Sequence, residues 1–380
     1  MNLFFFDHII QLDSLASLID LIAKEKKRVL IINTNPTSLY KKNKLLKFFK
    51  DQNIQILNNP PLNIKNNMKI FLIKIITLLP KIFVQRLQGF WWRVSNDNFF
   101  DDKNFEILLN NNNVRNIFIP NDYTNKKKFF LNKFRKKKNI KIIEVEVGTR
   151  TLTTHPYQKN GFPLSTCDFY ICSRKIDHNI NEKELNKMKK LGCLRYSQAW
   201  LVKLDNIFRV NVSDNKDNLK VGLFVNDRLT EEDKNFITKI ENIKKIRLEL
   251  ANKPKSVLPE KHSLAYLNRF NASQLINWSD IIISHSSSIL IEAIQKNKNV
   301  FYCNFLNYND KYSIKKSFFE DIKGFYYFDS LIGLTNALEN YQKYKNLKYT
   351  NEDFKIIDDL KGFDDEESLL KNYKKFLGEL

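Results

Sequence analysis

Four serines and one histidine follow a run of isoleucines in the second half of the chain, where Asp280–Ser288 reads DIIISHSSS. The isoleucines predict a short buried strand, and the apolar spacing of Ser287–Gln295 predicts a helix. A phosphate would be favoured between the two, because serine hydroxyls and the free N–H groups of a helix start both donate to an anion. Ser286–Ser288 and His285 are therefore candidate phosphate contacts.

Glu292 lies four residues after Ser288 and shares its helix face, so an attached ribose could bind there. The alternative is that Ser286 or Ser287 only caps the helix. A serine hydrolase is not favoured, because GxSxG is absent and a histidine next to a serine in sequence makes no triad.

A second chemical motif is Glu144–Gly148, which reads EVEVG at the end of a predicted strand. A carboxylate at such a position can act as a general base or as a nucleophile. Glu146 is the first candidate because Gly148 permits close backbone approach, and Glu144 is the second because it has the same parity along the strand. The alternative is a pair of surface carboxylates on an edge strand.

The elements around these motifs follow a βαβ rhythm typical of parallel sheets covered by helices. The strands predicted before the polar stretch at 212–218 are Leu3–Phe6, Arg28–Asn33, Ile54–Leu57, Val114–Ile119, Ile140–Val145 and Asp168–Cys172. Those predicted after it are Leu219–Val225, Lys245–Leu250, Asp280–Ile283, Val300–Cys303 and Phe325–Phe328. The rhythm predicts α/β domains at 1–204 and 205–360, followed by a C-terminal helix at 361–380.

The composition narrows the class of protein. A net charge of +21 favours an anionic partner, although Lys, Asn and Ile enrichment is also typical of AT-rich coding. GxGxxG and GxxxxGK[ST] are absent, which argues against Rossmann dehydrogenases and P-loop NTPases. Four unpaired cysteines and no secretory or membrane-spanning pattern predict a cytoplasmic protein.

Residues 68–94 form a basic amphipathic segment with Trp91 and Trp92 and a central Pro80. Such a segment can lie on an anionic membrane surface, and the lysine clusters at 41–50 and 126–138 fall in the same half. The alternative is a buried domain helix whose lysines reach the solvent. A peripheral location at the inner face of the cell membrane is thus a hypothesis.

Taken together, these patterns resemble GT-B glycosyltransferases, which have two Rossmann-like domains and an interdomain cleft. The finer resemblance is to Kdo transferases and bacterial sialyltransferase-like enzymes that use CMP-sugars. It is carried by Ser286–Ser288 with Glu292, by Glu144–Gly148, and by Gly192–Trp200, which reads GCLRYSQAW.

The resemblance implies further contacts to anionic substrates. The family often has a Lys-Pro-His-Pro stretch, but the equivalent here is KPK, so Lys253 and Lys255 are the candidate phosphate contacts. Four other positively charged or titratable side chains near the motifs are candidate substrate contacts: Arg150, His155, Arg195 and Arg228.

The expected activity is metal-independent transfer of a sugar, such as Kdo from a CMP donor, to a surface polysaccharide or glycolipid. No cofactor besides the donor substrate is expected, because no HExxH or other metal-ligand pattern occurs. A CDP-alcohol polyol-phosphate transferase and a nucleotide-sugar epimerase are alternatives on the same fold. A non-catalytic RNA-binding protein is the alternative from another class, disfavoured because no RNP-type or KH-type signature occurs.

Overall fold

The structure is a computed structural model of one chain of 380 residues. It describes residues 1–7, 9–34, 43–58, 102–121, 125–147, 166–173, 182–209, 218–225, 231–252, 272–285, 287–306, 317–344 and 348–380.

The first half contains a seven-stranded parallel sheet with the order β3-β2-β1-β4-β5-β6-β7. Its strands are β1 (Asn2–Phe6), β2 (Val29–Asn33), β3 (Gln55–Asn58), β4 (Asn116–Pro120), β5 (Lys141–Val145), β6 (Phe169–Cys172) and β7 (Met188–Lys190). The first six strands follow the Rossmann order 3-2-1-4-5-6. The six strands predicted for this half are therefore confirmed, with ends that differ by one or two residues.

Helices cover both faces of this sheet. They are α1 (Ile9–Lys24), α2 (Lys44–Asp51), α3 (Asp102–Asn111) and α4 (Asn125–Lys138). Alternate residues of β1 point to opposite faces, so Phe4 packs in the core with α1 and α2 while Phe5 packs in the core with α3 and α4. Burial on both faces explains why these strands are nearly continuous apolar runs.

A crossover joins the two halves. It consists of a short 3₁₀ turn, Leu194–Tyr196, and of α5 (Gln198–Ile207), whose N-cap Ser197 accepts a hydrogen bond from the Trp200 N–H. Trp200 is buried in a hydrophobic cluster that contains residues of both halves. The predicted boundary at residue 204 thus lies within α5.

The second half is a five-stranded parallel sheet with the order β12-β11-β10-β8-β9. Its strands are β8 (Leu219–Val225), β9 (Ile246–Asn252), β10 (Ile281–Ser284), β11 (Asn299–Cys303) and β12 (Tyr326–Phe328). Its helices are α6 (Glu231–Glu241), α7 (Ala272–Trp278), α8 (Ile289–Gln295) and α9 (Leu331–Glu339). All five strands predicted for this half are confirmed.

The C-terminal segment returns to the first half. It forms two helices, α10 (Asn351–Lys361) and α11 (Glu366–Glu379), and α11 lies within the C-terminal helix predicted at 361–380. Gly362 separates them because it adopts a φ of 81°, which favours glycine. Phe376 of α11 packs against Phe169 of β6, with ring centroids 5.4 Å apart.

Among the helices in the described parts of the chain, none has the length and apolar character needed to cross a membrane.

Candidate functional site

The serine-rich turn lies at the carboxyl end of β10, where it was predicted. β10 and β8 are neighbours at the point where the strand order reverses, and α/β sheets commonly bind ligands at such a point. Ser288 occupies the N-cap position of α8, but its side chain makes no capping hydrogen bond. The hydroxyl of Ser288 is therefore not committed to the helix start, and the alternative that Ser286 or Ser287 caps the helix stays a prediction.

His285 lies on the inner side of this turn. Its ring contacts Tyr302 of β11, with centroids 5.2 Å apart. Burial lowers the pKa of His285 to about 4, so the imidazole is neutral at pH 7. A neutral imidazole can donate or accept one hydrogen bond, but it brings no positive charge to a phosphate.

Glu292 is placed differently from the prediction. Its side chain is 1% exposed, accepts a hydrogen bond from Ser273 Oγ at 3.2 Å, and lies 3.0 Å from Lys296 Nζ. The predicted ribose contact is not available in this conformation, because the carboxylate packs between α7 and α8. The i, i+4 spacing with Ser288 was correct, but spacing alone does not separate a cleft-facing residue from a buried one.

The two candidate carboxylates lie at the carboxyl end of β5, between β4 and β6. The alternative of surface carboxylates on an edge strand is therefore wrong, since the strand is internal and both side chains are buried. Glu144 Oε2 lies 2.6 Å from Lys128 Nζ, and Glu144 Oε1 accepts from Thr166 Oγ1 at 2.8 Å. Both oxygens of Glu144 are thus engaged, one in an ion pair with Lys128 and the other in a hydrogen bond from Thr166.

Glu146 has another environment. Its Oε2 accepts from the Ser173 N–H at 3.1 Å, and its own N–H donates to the Ile171 carbonyl at 3.0 Å. β5 ends at Val145, so Glu146 lies beyond the strand. The alternation of side chains along a strand, which predicted that Glu146 and Glu144 point to the same face, therefore does not apply to Glu146. Of the two carboxylates, Glu146 is the one not held by an ion pair with Lys128.

The loops after neighbouring strands hold Glu146 in place. The Val147 N–H donates to Asn121 Oδ1 at 3.0 Å, and Asn121 follows β4 directly. The Asn121 carbonyl accepts from Lys128 Nζ at 2.9 Å. Asn121, Glu146 and Ser173 are therefore the residues at the carboxyl ends of three adjacent strands, which is a favourable place for a reacting group.

Arg195 is not a loop residue that faces substrate. It is 7% exposed, and its Nη2 lies 2.6 Å from Asp13 Oδ2 of α1. Burial opposes the charged form of Arg195, but Asp13, Tyr196 and Glu292 raise its pKa above the usual value. The predicted substrate contact is therefore corrected to a buried ion pair at the junction of the two halves.

The crossover lies beside both candidate groups. The Tyr196 hydroxyl donates to the Ser288 carbonyl at 3.1 Å. The Gly192 N–H, directly before Cys193, donates to the Cys172 carbonyl at 3.2 Å, and the next residue, Ser173, donates its N–H to Glu146 at 3.1 Å. The chain at Gly192–Tyr196 is therefore hydrogen-bonded at one end to the last residue of β6, next to the Ser173 that binds Glu146, and at the other end to Ser288 of the serine-rich turn.

The remaining predicted contacts lie outside the described residues. They are Ser286, Lys253, Lys255, Arg150, His155, Arg228, and the amphipathic segment at 68–94.

Sequence reasoning missed Asp13, Lys128, Asn121 and Tyr196. The Asn121 position had a signal, because a polar residue directly after a buried strand is a candidate at a sheet edge. Asp13 and Lys128 had none, since each lies on a helix and its partner is distant in sequence. Across the described ranges, no group of three or more His, Cys, Asp or Glu side chains is placed to hold a metal ion.

No family model matches the chain, and no curated protein matches it. Solved structures do match it over its whole length. The putative UDP-N-acetylglucosamine 2-epimerase from Listeria monocytogenes superposes with a TM-score of 0.53 at 13% identity, covering 100% of this chain and 96% of that one. The wall teichoic acid polymerase TagF gives a TM-score of 0.53 at 13% identity, covering 99% of this chain and 89% of that one.

A third similar structure is the UDP-GlcNAc 2-epimerase from Methanocaldococcus jannaschii in complex with UDP-GlcNAc and UDP. Its TM-score is 0.52 at 12% identity, and the match covers 100% of both chains. At such identities the similarity establishes the fold, which is the predicted GT-B architecture of two Rossmann-like domains. The finer resemblance to Kdo transferases and sialyltransferases draws no support from these structures.

Proposed function

We propose that the chain is a GT-B glycosyltransferase that transfers a sugar from a nucleotide donor to a glycan or glycolipid acceptor. The observation that supports this most is the position of Cys193–Tyr196. Gly192, the residue before this segment, is hydrogen-bonded to the end of β6, where Ser173 binds Glu146, and Tyr196 is hydrogen-bonded to Ser288 of the serine-rich turn. A base and a phosphate-binding turn that are both connected to one short segment between the domains suit a transfer reaction.

In the proposed reaction, Glu146 takes the proton of the acceptor hydroxyl, or attacks the anomeric carbon if configuration is retained. The bond between the sugar and the donor phosphate breaks, and the nucleotide leaves as an anion. Ser287 and Ser288 would donate to that phosphate, together with Ser286, Lys253 and Lys255 by resemblance. No metal ion is assigned a role in this proposal.

The donor that we propose is a CMP-linked acidic sugar such as Kdo. The proposal comes from the resemblance of three motifs to CMP-sugar enzymes, and an acidic donor would suit a chain with a net charge of +21. The acceptor would belong to a surface polysaccharide or glycolipid, which suits a cytoplasmic enzyme that docks on the inner face of the membrane through residues 68–94.

Thermal unfolding with CMP, CDP and UDP tests the class of donor. A ligand at 100 times its Kd stabilises the folded protein by about 2.7 kcal/mol, which raises Tm measurably. Stabilisation by CMP above UDP supports the CMP donor, and preference for UDP contradicts it. If none of the three nucleotides raises Tm, the proposed function is wrong.

An epimerase is the second candidate, favoured by the two full-length matches to UDP-GlcNAc 2-epimerases. The two reactions differ in whether they require an acceptor. A glycosyltransferase releases free nucleotide only when an acceptor is present or through slow donor hydrolysis, whereas an epimerase alters the sugar with no acceptor at all. Incubation with UDP-GlcNAc alone, followed by chromatography of the nucleotide sugars, separates the two.

A CDP-alcohol transferase is the third candidate, because a TagF structure obtained with CDPG also matches, with a TM-score of 0.51. Stabilisation by CDP with no response to CMP or UDP would favour it. Nucleic acid is the remaining alternative for so basic a chain. Binding to anionic liposomes but not to RNA at moderate salt would favour membrane docking. RNA binding that persists at moderate salt would favour a nucleic-acid-binding protein.

A further inference from the structure

Tyr196 contacts α8 at both ends of that helix. Its hydroxyl donates to the Ser288 carbonyl at 3.1 Å, next to the first residue of the helix. Its main-chain carbonyl accepts from Gln295 Nε2 at 3.0 Å, at the last residue. Since Tyr196 is fully buried, these bonds hold the crossover along the length of α8 and fix its position relative to the serine-rich turn.

Arg195 determines where the Tyr196 proton points. Arg195 Nη1 donates to the Tyr196 hydroxyl oxygen at 3.2 Å. A guanidinium can only donate, so the hydroxyl must accept from it, and its single proton is left for the Ser288 carbonyl. Burial raises the pKa of Tyr196 to about 12 although Arg195 lowers it, so the phenol keeps this proton at neutral pH.

The Ser288 carbonyl accepts two hydrogen bonds. Besides the bond from Tyr196 it accepts from the Ile291 N–H at 3.3 Å, which occupies both of its lone pairs. A peptide unit is planar, so fixing this carbonyl also fixes the orientation of the Ser288–Ile289 peptide. The turn that carries the Ser287 and Ser288 hydroxyls is attached directly to that peptide.

The chain of contacts begins in the first domain. Asp13 of α1 holds Arg195 through the 2.6 Å ion pair, Arg195 donates to Tyr196, and Tyr196 donates to Ser288. We call these four residues the interdomain chain. Its inner members, Arg195 and Tyr196, are buried, so water does not compete for their bonds.

From this geometry we infer that Tyr196 is a positioning residue that sets the Ser287–Ser288 turn for the donor phosphate. The inference rests on the proposed function, because it assumes that the turn binds a nucleotide. It adds that the turn is held from the first domain through the interdomain chain. Tyr196 itself need not touch the donor.

The test compares Tyr196→Phe with a matched control, Tyr373→Phe. Tyr373 is also buried, and its hydroxyl also donates to a main-chain carbonyl, that of Gly192 at 2.8 Å, but it does not contact the serine-rich turn. Each variant loses one buried hydroxyl and its hydrogen bond to a main-chain carbonyl, and Tyr196→Phe also loses the bond from Arg195. Any loss of stability common to both variants is therefore separated from an effect on the turn.

The measurement is the Kd of CMP, CDP and UDP by isothermal titration calorimetry, with Tm recorded for each variant. Tyr196→Phe should weaken the tightest of these nucleotides about tenfold, the scale of one lost hydrogen bond, while Tyr373→Phe should change it by less than about twofold. Both should lower Tm.

Two results overturn the inference in different ways. If the wild type binds nucleotide and Tyr196→Phe binds it equally well, or both variants weaken it equally, the positioning role is wrong and the proposed function stands. If the wild type binds none of the three nucleotides, the proposed function fails and the inference fails with it. Should Tyr196→Phe not fold, Gln295→Met removes the other bond between Tyr196 and α8, at the far end of the helix, and an unchanged nucleotide Kd in that variant would likewise contradict the positioning role.

Discussion

The carboxylate of Asp13 lies 2.6 Å from the guanidinium of Arg195 and ties the first helix to the crossover between the domains. The Asp13 side chain retains partial exposure, whereas that of Arg195 is almost fully buried. Burial and the nearby Glu292 raise the pKa of Asp13, while Arg195 lowers it. A buried arginine without its counter-charge would be costly, so this pair should be important for stability.

Asp13→Asn should therefore destabilise the protein. Breaking a buried pair from one side costs about 3–5 kcal/mol, and the partial exposure of Asp13 places the expected loss at the lower end. The measurement is urea unfolding. Glu25→Gln is the control, because Glu25 pairs with Lys374 on the surface and its loss should cost less than about 1 kcal/mol. Equal losses for the two variants would contradict the buried-pair interpretation.

Glu146→Gln should abolish turnover and spare nucleotide binding. The amide keeps the size of the side chain and can still accept from the Ser173 N–H, but it cannot take a proton. Loss of a general base costs about 10²–10⁴-fold in rate. The measurement is release of free nucleotide in the presence of acceptor, with Kd determined in parallel. If the Glu146→Gln variant were active, the general base would have to be another residue.

Glu144 should behave as a structural residue. Lys128→Met leaves Glu144 buried without its cation, which is expected to cost about 3–5 kcal/mol in the free energy of unfolding. The double variant Lys128→Met/Glu144→Leu replaces the pair by apolar side chains and should recover most of that loss. A double-mutant cycle by urea unfolding measures the coupling. Additive losses would show that the two side chains do not interact.

Much of the fold could be predicted from local patterns, because βαβ proteins bury whole strands. The isoleucines of Ile281–Ile283 are a clear case: the run predicted β10, and β10 positions the serine-rich turn. The end of α10 at Gly362 was not predicted, because only the backbone shows the positive φ of that residue.

The site was predicted less completely than the fold. Glu146 and the serines were found because each follows a strand directly. Arg195 and Glu292 were assigned to substrate although both are buried in ion pairs. The partners of these two residues differ in their distance along the sequence: Lys296 lies four residues from Glu292, whereas Asp13 lies near the start of the chain and far from Arg195 in its middle. A contact of that second kind has no sequence signature.

His285 should make stability depend on pH. Its pKa is about 4 in the folded protein and near 6.5 when unfolded, so the unfolded chain binds the proton first as pH falls. Full stability is expected above pH 6.5 and is lost progressively toward pH 4, by about 2 kcal/mol at pH 4.5. Urea unfolding at pH 7.0 and 4.5 measures this loss. In His285→Gln the loss should be smaller by that amount, and identical pH dependence in both proteins would show that His285 does not contribute.

Gly222 of β8 should not tolerate a side chain. A Cβ there would lie 2.2 Å from Ser279 Oγ and 3.1 Å from Leu275 Cγ of α7. Ser279 cannot easily move away, because it is buried and its Oγ donates to the Leu275 carbonyl at 2.6 Å. Gly222→Ala should therefore separate β8 from α7, with an expected loss of about 1–3 kcal/mol in the free energy of unfolding.

The control is Gly378→Ala in α11, where a Cβ meets nothing within 4 Å. That variant should stabilise the protein by about 0.5–1 kcal/mol, because alanine loses less backbone entropy in a helix. Ser279→Ala in the Gly222→Ala background removes the clashing oxygen and should recover part of the loss. If Gly222→Ala were as stable as the wild type, β8 and α7 would not be packed as closely as the structure shows.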